Sequence, residues 1–392
     1  MRVALLTREF PPEVYGGAGV HVEHLVPELA RLVDVDVHCF GGERESPLVA
    51  GTYTPWSALA GSAALEVMSV DLAMAAAVAS ADVVHTHTWY ANLAGHLAKL
   101  LHGIPHVMTS HSIEPLRPWK ADQLGGGYAL SLFCERTAVE AADAIVAVSA
   151  ATRTDLLRVY PALDPGRVHV IHNGVDTNTY RPDPGTSALS RLGVDPSRPY
   201  VLFVGRITRQ KGIFHLLAAA SEFDPAAQVV LCAAAPDSEA EGEEVRRRVA
   251  DLRKQRDGVV WIEAHLPRPD VVQLFSHAAV FVCPSVYEPF GLVNVEAMAC
   301  GAPVVATATG GIPEILVDGE TGYLVPLGGT VVDGPADPAL FAATLAAHVN
   351  RLLNDRATAR RFGEAGRRRV VERFSWTAVA LRTADLYAQV CR

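Results

Sequence analysis

Short apolar runs rich in β-branched residues alternate along the chain with longer segments in which apolar residues recur every three or four positions. In the first half the runs lie at 3–7, 35–40, 83–87, 106–110, 145–149 and 168–172; in the second they lie at 200–204, 228–233, 259–263, 280–284, 303–308 and 322–325. Most are continuously apolar rather than alternating, the pattern of parallel strands covered on both faces. Helical patterns intervene, for example at 21–32, 91–101, 245–256 and 269–277. Strand, helix and strand repeated in this way predict an α/β protein of two doubly wound parallel sheets. A length of 392 residues also exceeds what one hydrophobic core usually serves. Prolines crowd residues 181–199 and put the boundary there, giving domains 1–190 and 191–375. After Val325 only helices are expected, the last at 376–390.

Ligands of doubly wound sheets bind beyond the carboxyl ends of the strands. Two facing domains would enclose a deep cleft, so the chemistry should lie just after strands. After the first strand, Gly16, Gly17 and Gly19 open a helix, where backbone N–H groups and the helix dipole favour an anion. Val22 stands where a dinucleotide fingerprint needs glycine, and no Gly-Lys-Ser/Thr follows for a P-loop, so a glycine-dependent turn is an equal reading. After the first strand of the second half, Arg206, Arg209 and Lys211 bunch before a helix, as a departing diphosphate requires. Glu288 and Glu296 flank a Pro-Phe-Gly turn: one in the loop after a strand, the other on the helix that follows. Eight residues make a little over two helical turns, so Glu296 should return to the face on which the helix starts. One carboxylate could then take sugar hydroxyls and the other a ribose, while the N–H groups of Phe290, Gly291, Leu292 and Val293 meet the diphosphate. Thr309-Gly310-Gly311 opens a further donor-side loop.

His85-Thr-His87 invites a metal reading, but no third ligand is evident. Asp34-Val-Asp36 lies on a strand without a glycine-rich loop, and a polar strand face accounts for it. No metal or cofactor is expected. The net charge of −9 gives no general attraction to nucleic acid or anionic membranes, so any anion needs a local basic pocket. The acidic stretch 237–244 is read as a solvated surface. There is neither a signal-peptide core nor an apolar run long enough for a membrane span, and the six cysteines are scattered. A cytoplasmic protein is expected. Nothing in the sequence sets the oligomeric state, a homodimer being one option.

Gly16-Gly17, His111, Arg206, Lys211 and Glu288-x(7)-Glu296 together resemble, in order and over nearly the whole chain, the retaining GT-B glycosyltransferases that include sucrose synthases, mannosyltransferases and bacterial glycogen synthases. The resemblance implies a nucleotide-sugar donor, with Arg206 and Lys211 on its diphosphate, Glu288 on the sugar and Glu296 on the ribose. It implies His111 near the sugar's 6-hydroxyl, front-face departure of the diphosphate without a metal, and a last helix (376–392) that packs back onto the first domain. The adenine would meet mainly backbone near residues 263–266.

More narrowly, the opening Thr-Arg-Glu-Phe-Pro-Pro-Glu-Val-Tyr-Gly-Gly and the stretch His111-Ser-Ile-Glu-Pro-Leu-Arg-Pro-Trp-Lys are similar to actinobacterial glycogen synthase-like enzymes that join glucose from ADP-glucose to glucose 1-phosphate, making α-maltose 1-phosphate. Val14 replaces the lysine of the Lys-x-Gly-Gly motif of ordinary glycogen synthases. On this reading Trp89, Tyr90, Arg117 and Lys120 line the acceptor, a sugar phosphate or a glucan. The alternatives are a glucan-elongating synthase using ADP- or UDP-glucose, a transferase for mannose or an inositol phosphate, a nucleotide-sugar epimerase of the same fold, and a sugar-nucleotide binding module.

Overall fold

The computed structural model describes residues 1–234 and 236–392, the side chains of Asp122 and Gln123 excepted. It divides into two compact units, residues 1–174 with 376–392, and residues 175–375. The first unit is built on β1 (Arg2–Thr7), β2 (Asp34–Phe40), β3 (Val49–Tyr53), β4 (Val83–His87), β5 (His106–Ser110), β6 (Ala144–Ala147) and β7 (Val168–Val170). They lie in the order β3-β2-β1-β4-β5-β6-β7, every neighbouring pair parallel. The second unit carries β8 (Tyr200–Arg206), β9 (Gln228–Ala234), β10 (Val259–Ile262), β11 (Val280–Cys283), β12 (Val304–Ala308) and β13 (Gly322–Pro326). Their order is β10-β9-β8-β11-β12-β13, again all parallel.

Both sheets wind outward from a central strand, first to one side and then to the other. The connections from β1 and β4 therefore leave on opposite faces, as do those from β8 and β11, and a crevice opens beyond the carboxyl ends of each pair. Strand β3 escaped the sequence pattern because it is a half-exposed edge strand with Gly51 at its centre. The sheets are covered by apolar helix faces. In the first unit Leu6 and Val84 pack with Met74 of α2 (Ala63–Ala77) and Ala94 of α3 (Trp89–His102). In the second, Phe203, Leu231 and Val282 pack with Leu217, Val249 and Leu345.

The proline-rich segment does not mark the division. Residues 175–190, expected in the first domain, belong to the second unit: Val175 N–H donates to Phe374 O (2.9 Å), Asp183 N–H to Ser276 Oγ (3.0 Å) and Ala188 N–H to Gln273 Oε1 (2.9 Å). Prolines fix turns, but packing decides membership. The last helix, Trp376–Val390, packs on α1 (Gly17–Leu29); Tyr387 reaches His85 Nδ1 at 2.6 Å, and Thr377 donates to Glu28 (3.0 Å).

Gly212 tests how tightly the loop after β8 is held. Its φ is +68°, and a Cβ there would lie 1.9 Å from Pro284 O. Gly103 has a similar φ of +70°, with nothing within 4 Å of an added Cβ. Gly103→Ala should therefore cost only the dihedral penalty, about 1 kcal/mol, and Gly212→Ala at least about 2 kcal/mol more because backbone must move. Denaturant midpoints of the two variants check this; equal losses would show that the loop yields freely.

Candidate functional site

In the second unit the crevice lies between the ends of β8 and β11. Lys211 follows β8, held by Thr208, whose hydroxyl accepts its N–H (3.1 Å). Glu288 follows β11. Across the crevice Lys211 Nζ donates to Glu288 Oε2 at 2.7 Å, and Ser285 Oγ donates to the same oxygen at 3.2 Å. Burial opposes the lysine charge, but attraction and the hydrogen bond from Glu288, with Cys283 nearby, leave its pKa raised. The two loops are also tied through backbone: Val286 N–H donates to Gln210 O (2.9 Å), and Gln210 Nε2 to Tyr287 O (3.1 Å). Arg206 pairs with Asp237 at 2.8 Å and remains 39% exposed. Asp237 is thus not mere solvated surface: it steadies a cation that can still reach a ligand.

Gly291, at φ +112°, caps the helix Leu292–Ala299, which has no side-chain N-cap. The first-turn N–H groups of Leu292 and Val293 thus begin a helix whose positive end suits an anion. The Phe290 ring lies in the core against Phe374 (5.8 Å), so only its backbone suits the ligand role expected of it. The helix starts at Leu292 rather than near Glu288, so Glu296 sits about one turn inside it, not two. Its carboxyl is hydrogen-bonded to Tyr180, and burial raises its pKa to about 7, against the pull of Tyr180, Arg268 and Lys211. Gly310 and Gly311 press on the Glu288 loop: Gly311 N–H donates to Glu288 O (2.9 Å), and a Cβ on Gly310 would lie 1.9 Å from that oxygen. Their role is close approach of backbone. Residues 263–265 form an exposed loop after β10.

In the first unit the corresponding crevice lies beyond β1 and β4. Gly16 is the N-cap of α1, in an extended conformation rather than a glycine-only one. Its N–H, with that of Tyr15, donates to Glu9 Oε2, both at 2.9 Å. A Cβ on Gly19 would strike this carboxylate at 2.3 Å. The glycines therefore make room for Glu9, and Gly16 has no N–H left for a ligand; the first-turn N–H of Gly17 does not share that bond. Glu9 was missed by sequence reasoning because its partners are backbone atoms.

His111, after β5 and partly exposed, stands against the buried imidazoles of His21 and His87. His87 Nδ1 and His111 Nε2 are 3.0 Å apart, and His21 Nδ1 donates to Asn173 Oδ1 at 2.8 Å. Burial pushes His21 down to about 4, and lowers His85, His87 and His111 strongly, with mutual repulsion adding to it. His111 is thus a neutral hydrogen-bonding group at pH 7. One nitrogen of each of His21, His87 and His111 lies within 4.8 Å of the others, so the third candidate ligand for His87 comes from α1. His85 is instead spent on Tyr387 and on Thr109 (2.8 Å). The contact between His87 Nδ1 and His111 Nε2 uses one ring nitrogen of each as donor or acceptor.

Trp89, expected at the acceptor, lies 6% exposed in the core with Leu93 and Cys134, because it begins the buried face of α3. Tyr90 stacks on it (centroids 4.1 Å apart) and carries the Arg8 guanidinium over its other side at 4.1 Å. Arg117 is not an open cation. It pairs with the buried Glu114 at 3.2 Å and donates to Ser112 Oγ at 3.1 Å. Glu114 is itself fixed by Glu135, whose two oxygens accept the Glu114 N–H at 2.9 and 3.1 Å. Burial and then Glu114 raise the pKa of Glu135. Lys120 opens the short helix Lys120–Leu124, its N–H donating to Arg117 O (2.9 Å).

Residues 15–179 match the family described as Glycosyltransferase Family 4, and residues 188–369 that described as Glycosyl transferases group 1. The chain is 55% identical to the α-maltose-1-phosphate synthases of Mycolicibacterium smegmatis and Mycobacterium tuberculosis, over the full length of both chains in each comparison. Sucrose-phosphate synthase from Thermosynechococcus elongatus superposes with a TM-score of 0.81 at 28% identity, covering 99% of this chain and 98% of that one. The catalytic domain of starch synthase IV from Arabidopsis thaliana, 16% identical, shares the fold with a TM-score of 0.76 over 99% of each chain. Among the described residues no helix is long and apolar enough to cross a membrane. The chain belongs to the family of the α-maltose-1-phosphate synthases, hexosyltransferases on the GT-B fold of two Rossmann-like α/β domains.

Proposed function

We propose that the protein transfers glucose from ADP-glucose to glucose 1-phosphate with retention, releasing ADP and α-maltose 1-phosphate in the cytoplasm. The observation that carries this reading is the full-length identity to α-maltose-1-phosphate synthases; the crevice beyond β8 and β11 supplies chemistry that suits it. Lys211, Arg206 and the N–H groups that open the Leu292–Ala299 helix meet the diphosphate. Glu288 accepts from sugar hydroxyls and Glu296 from the ribose. The bond from C1 to the diphosphate breaks with its electron pair leaving on ADP. The acceptor hydroxyl attacks from the same face, and its proton passes to the departing phosphate oxygen. Positive charge fixed in advance at the leaving group lowers the barrier, so no metal ion is required. His111, neutral by burial, serves the transferred sugar as a hydrogen-bonding group.

Purified enzyme treated with EDTA should release ADP from ADP-glucose rapidly with glucose 1-phosphate as acceptor, and slowly with glycogen or with UDP-glucose as donor. Turnover with glycogen alone would replace this reading by a chain-elongating synthase, and activity restored only by added Mg²⁺ or Mn²⁺ would refute metal independence. A second outcome follows from Glu296. ADP-glucose has no group that ionises between pH 6 and 8, whereas Glu296 titrates at about 7. Only the carboxylate accepts from both ribose hydroxyls, so the donor KM should fall by up to about tenfold as pH rises from 6 to 8. The profile should flatten in Glu296→Gln; an unchanged profile there would assign the titration elsewhere.

A further inference from the structure

The crevice beyond β1 and β4 holds a cation that the sequence reading passed over. Arg8 follows β1 directly, and Trp89-Tyr90 follow β4, so the two meet where ligands of such sheets bind. The Arg8 guanidinium carbon lies 4.1 Å from the Tyr90 ring centroid and 5.5 Å from that of Tyr15. Tyr90 is backed by Trp89, stacked at 4.1 Å and 30°. A guanidinium this close to an aromatic ring is within cation–π range and still carries N–H groups that can donate to a ligand. Arg8 is half-buried, yet among the described residues no carboxylate pairs with it. Its neighbour Glu9 spends one oxygen on the N–H groups of Tyr15 and Gly16.

The backbone that leads into Tyr90 is a helix start. Helix α3 opens beside Tyr90 without a side-chain cap. Its N-cap, Thr88, has φ +66°, the one positive φ outside glycine among the described residues. Such a conformation is costly for a β-branched side chain and is held only where packing enforces it. Arg117, the alternative anchor, is already neutralised by Glu114.

We propose that Arg8, clamped between Tyr90 and Tyr15, is the anchor for the phosphate group of the acceptor. The assignment rests on the acceptor reading above. It makes Arg8 a specificity residue: a sugar phosphate gains a charge-assisted, bidentate contact that a neutral glucan end cannot make. The aromatic clamp orients the guanidinium before the acceptor arrives, so little side-chain freedom is lost on binding.

The test is steady-state kinetics with ADP-glucose and glucose 1-phosphate on wild type, Arg8→Ala, Arg8→Lys and Arg117→Ala, with calorimetric titration of ADP as a check on folding. Arg8→Ala should raise the KM for glucose 1-phosphate about 10- to 100-fold, with a much smaller change in kcat and an unchanged dissociation constant for ADP. Arg8→Lys should recover part of the loss, since a point charge replaces the fork. A KM within twofold of wild type in Arg8→Ala overturns the proposal, as does a large rise confined to Arg117→Ala. Loss of ADP binding in Arg8→Ala would show a structural role and overturn it equally. Wild type that makes no maltose 1-phosphate removes the acceptor reading itself, an outcome distinct from a change seen only between variants.

Discussion

Parallel strands point all their carboxyl ends the same way, and that constraint organises everything chemical in this protein. A sheet wound outward from a central strand must send two neighbouring connections to opposite faces, and the gap between them is the one place where loops leave backbone unfilled. In the first unit the gap opens beyond β1 and β4, in the second beyond β8 and β11. Arg8 and Tyr90 meet across the first, Lys211 and Glu288 across the second. Neither pair is near in sequence; each is brought together because its two strands are neighbours in a sheet.

The two crevices handle charge in different ways. In the second unit Lys211 and Glu288 are held 2.7 Å apart, and the pairing raises the lysine pKa despite burial. In the first unit the imidazoles of His21, His85, His87 and His111 are kept neutral by burial, and their hydrogen bonds run to Asn173, Tyr387, Thr109 and each other. A neutral polar cluster orients without attracting a counter-ion. Arg8, just after β1, is supported by aromatic faces rather than by a carboxylate.

Glycines show how one residue type serves unlike ends. Gly212 and Gly310 stand where φ is positive and a neighbouring carbonyl would touch a Cβ at 1.9 Å. Gly16 and Gly19 instead have space taken by the Glu9 carboxylate. The motif Gly-Gly looks the same in both halves, but in the first it shapes a cradle for a side chain of the chain itself, and in the second it lets two backbones close on each other.

The amino-acid sequence by itself determined the two parallel sheets, the position of nearly every strand, and the placement of Lys211 and Glu288 just after strands and of Glu296 on the helix that follows, because apolar runs of strand length and the turn residues after them are local signals. It passed over β3, whose half-exposed edge position and central Gly51 weaken the pattern. Tertiary structure alone decided the rest. It moved the domain boundary to residue 175, since hydrogen bonds across 93 and 85 positions tie residues 183 and 188 to the second unit. It turned Trp89 into the core, closed Arg117 onto Glu114, and gave Gly16 to Glu9. It also set Arg8 against Tyr90 and Tyr15 with no carboxylate paired to it among the described residues. Whether a charged side chain is open or spent depends on which groups lie beside it in space, and no local pattern along a chain records that.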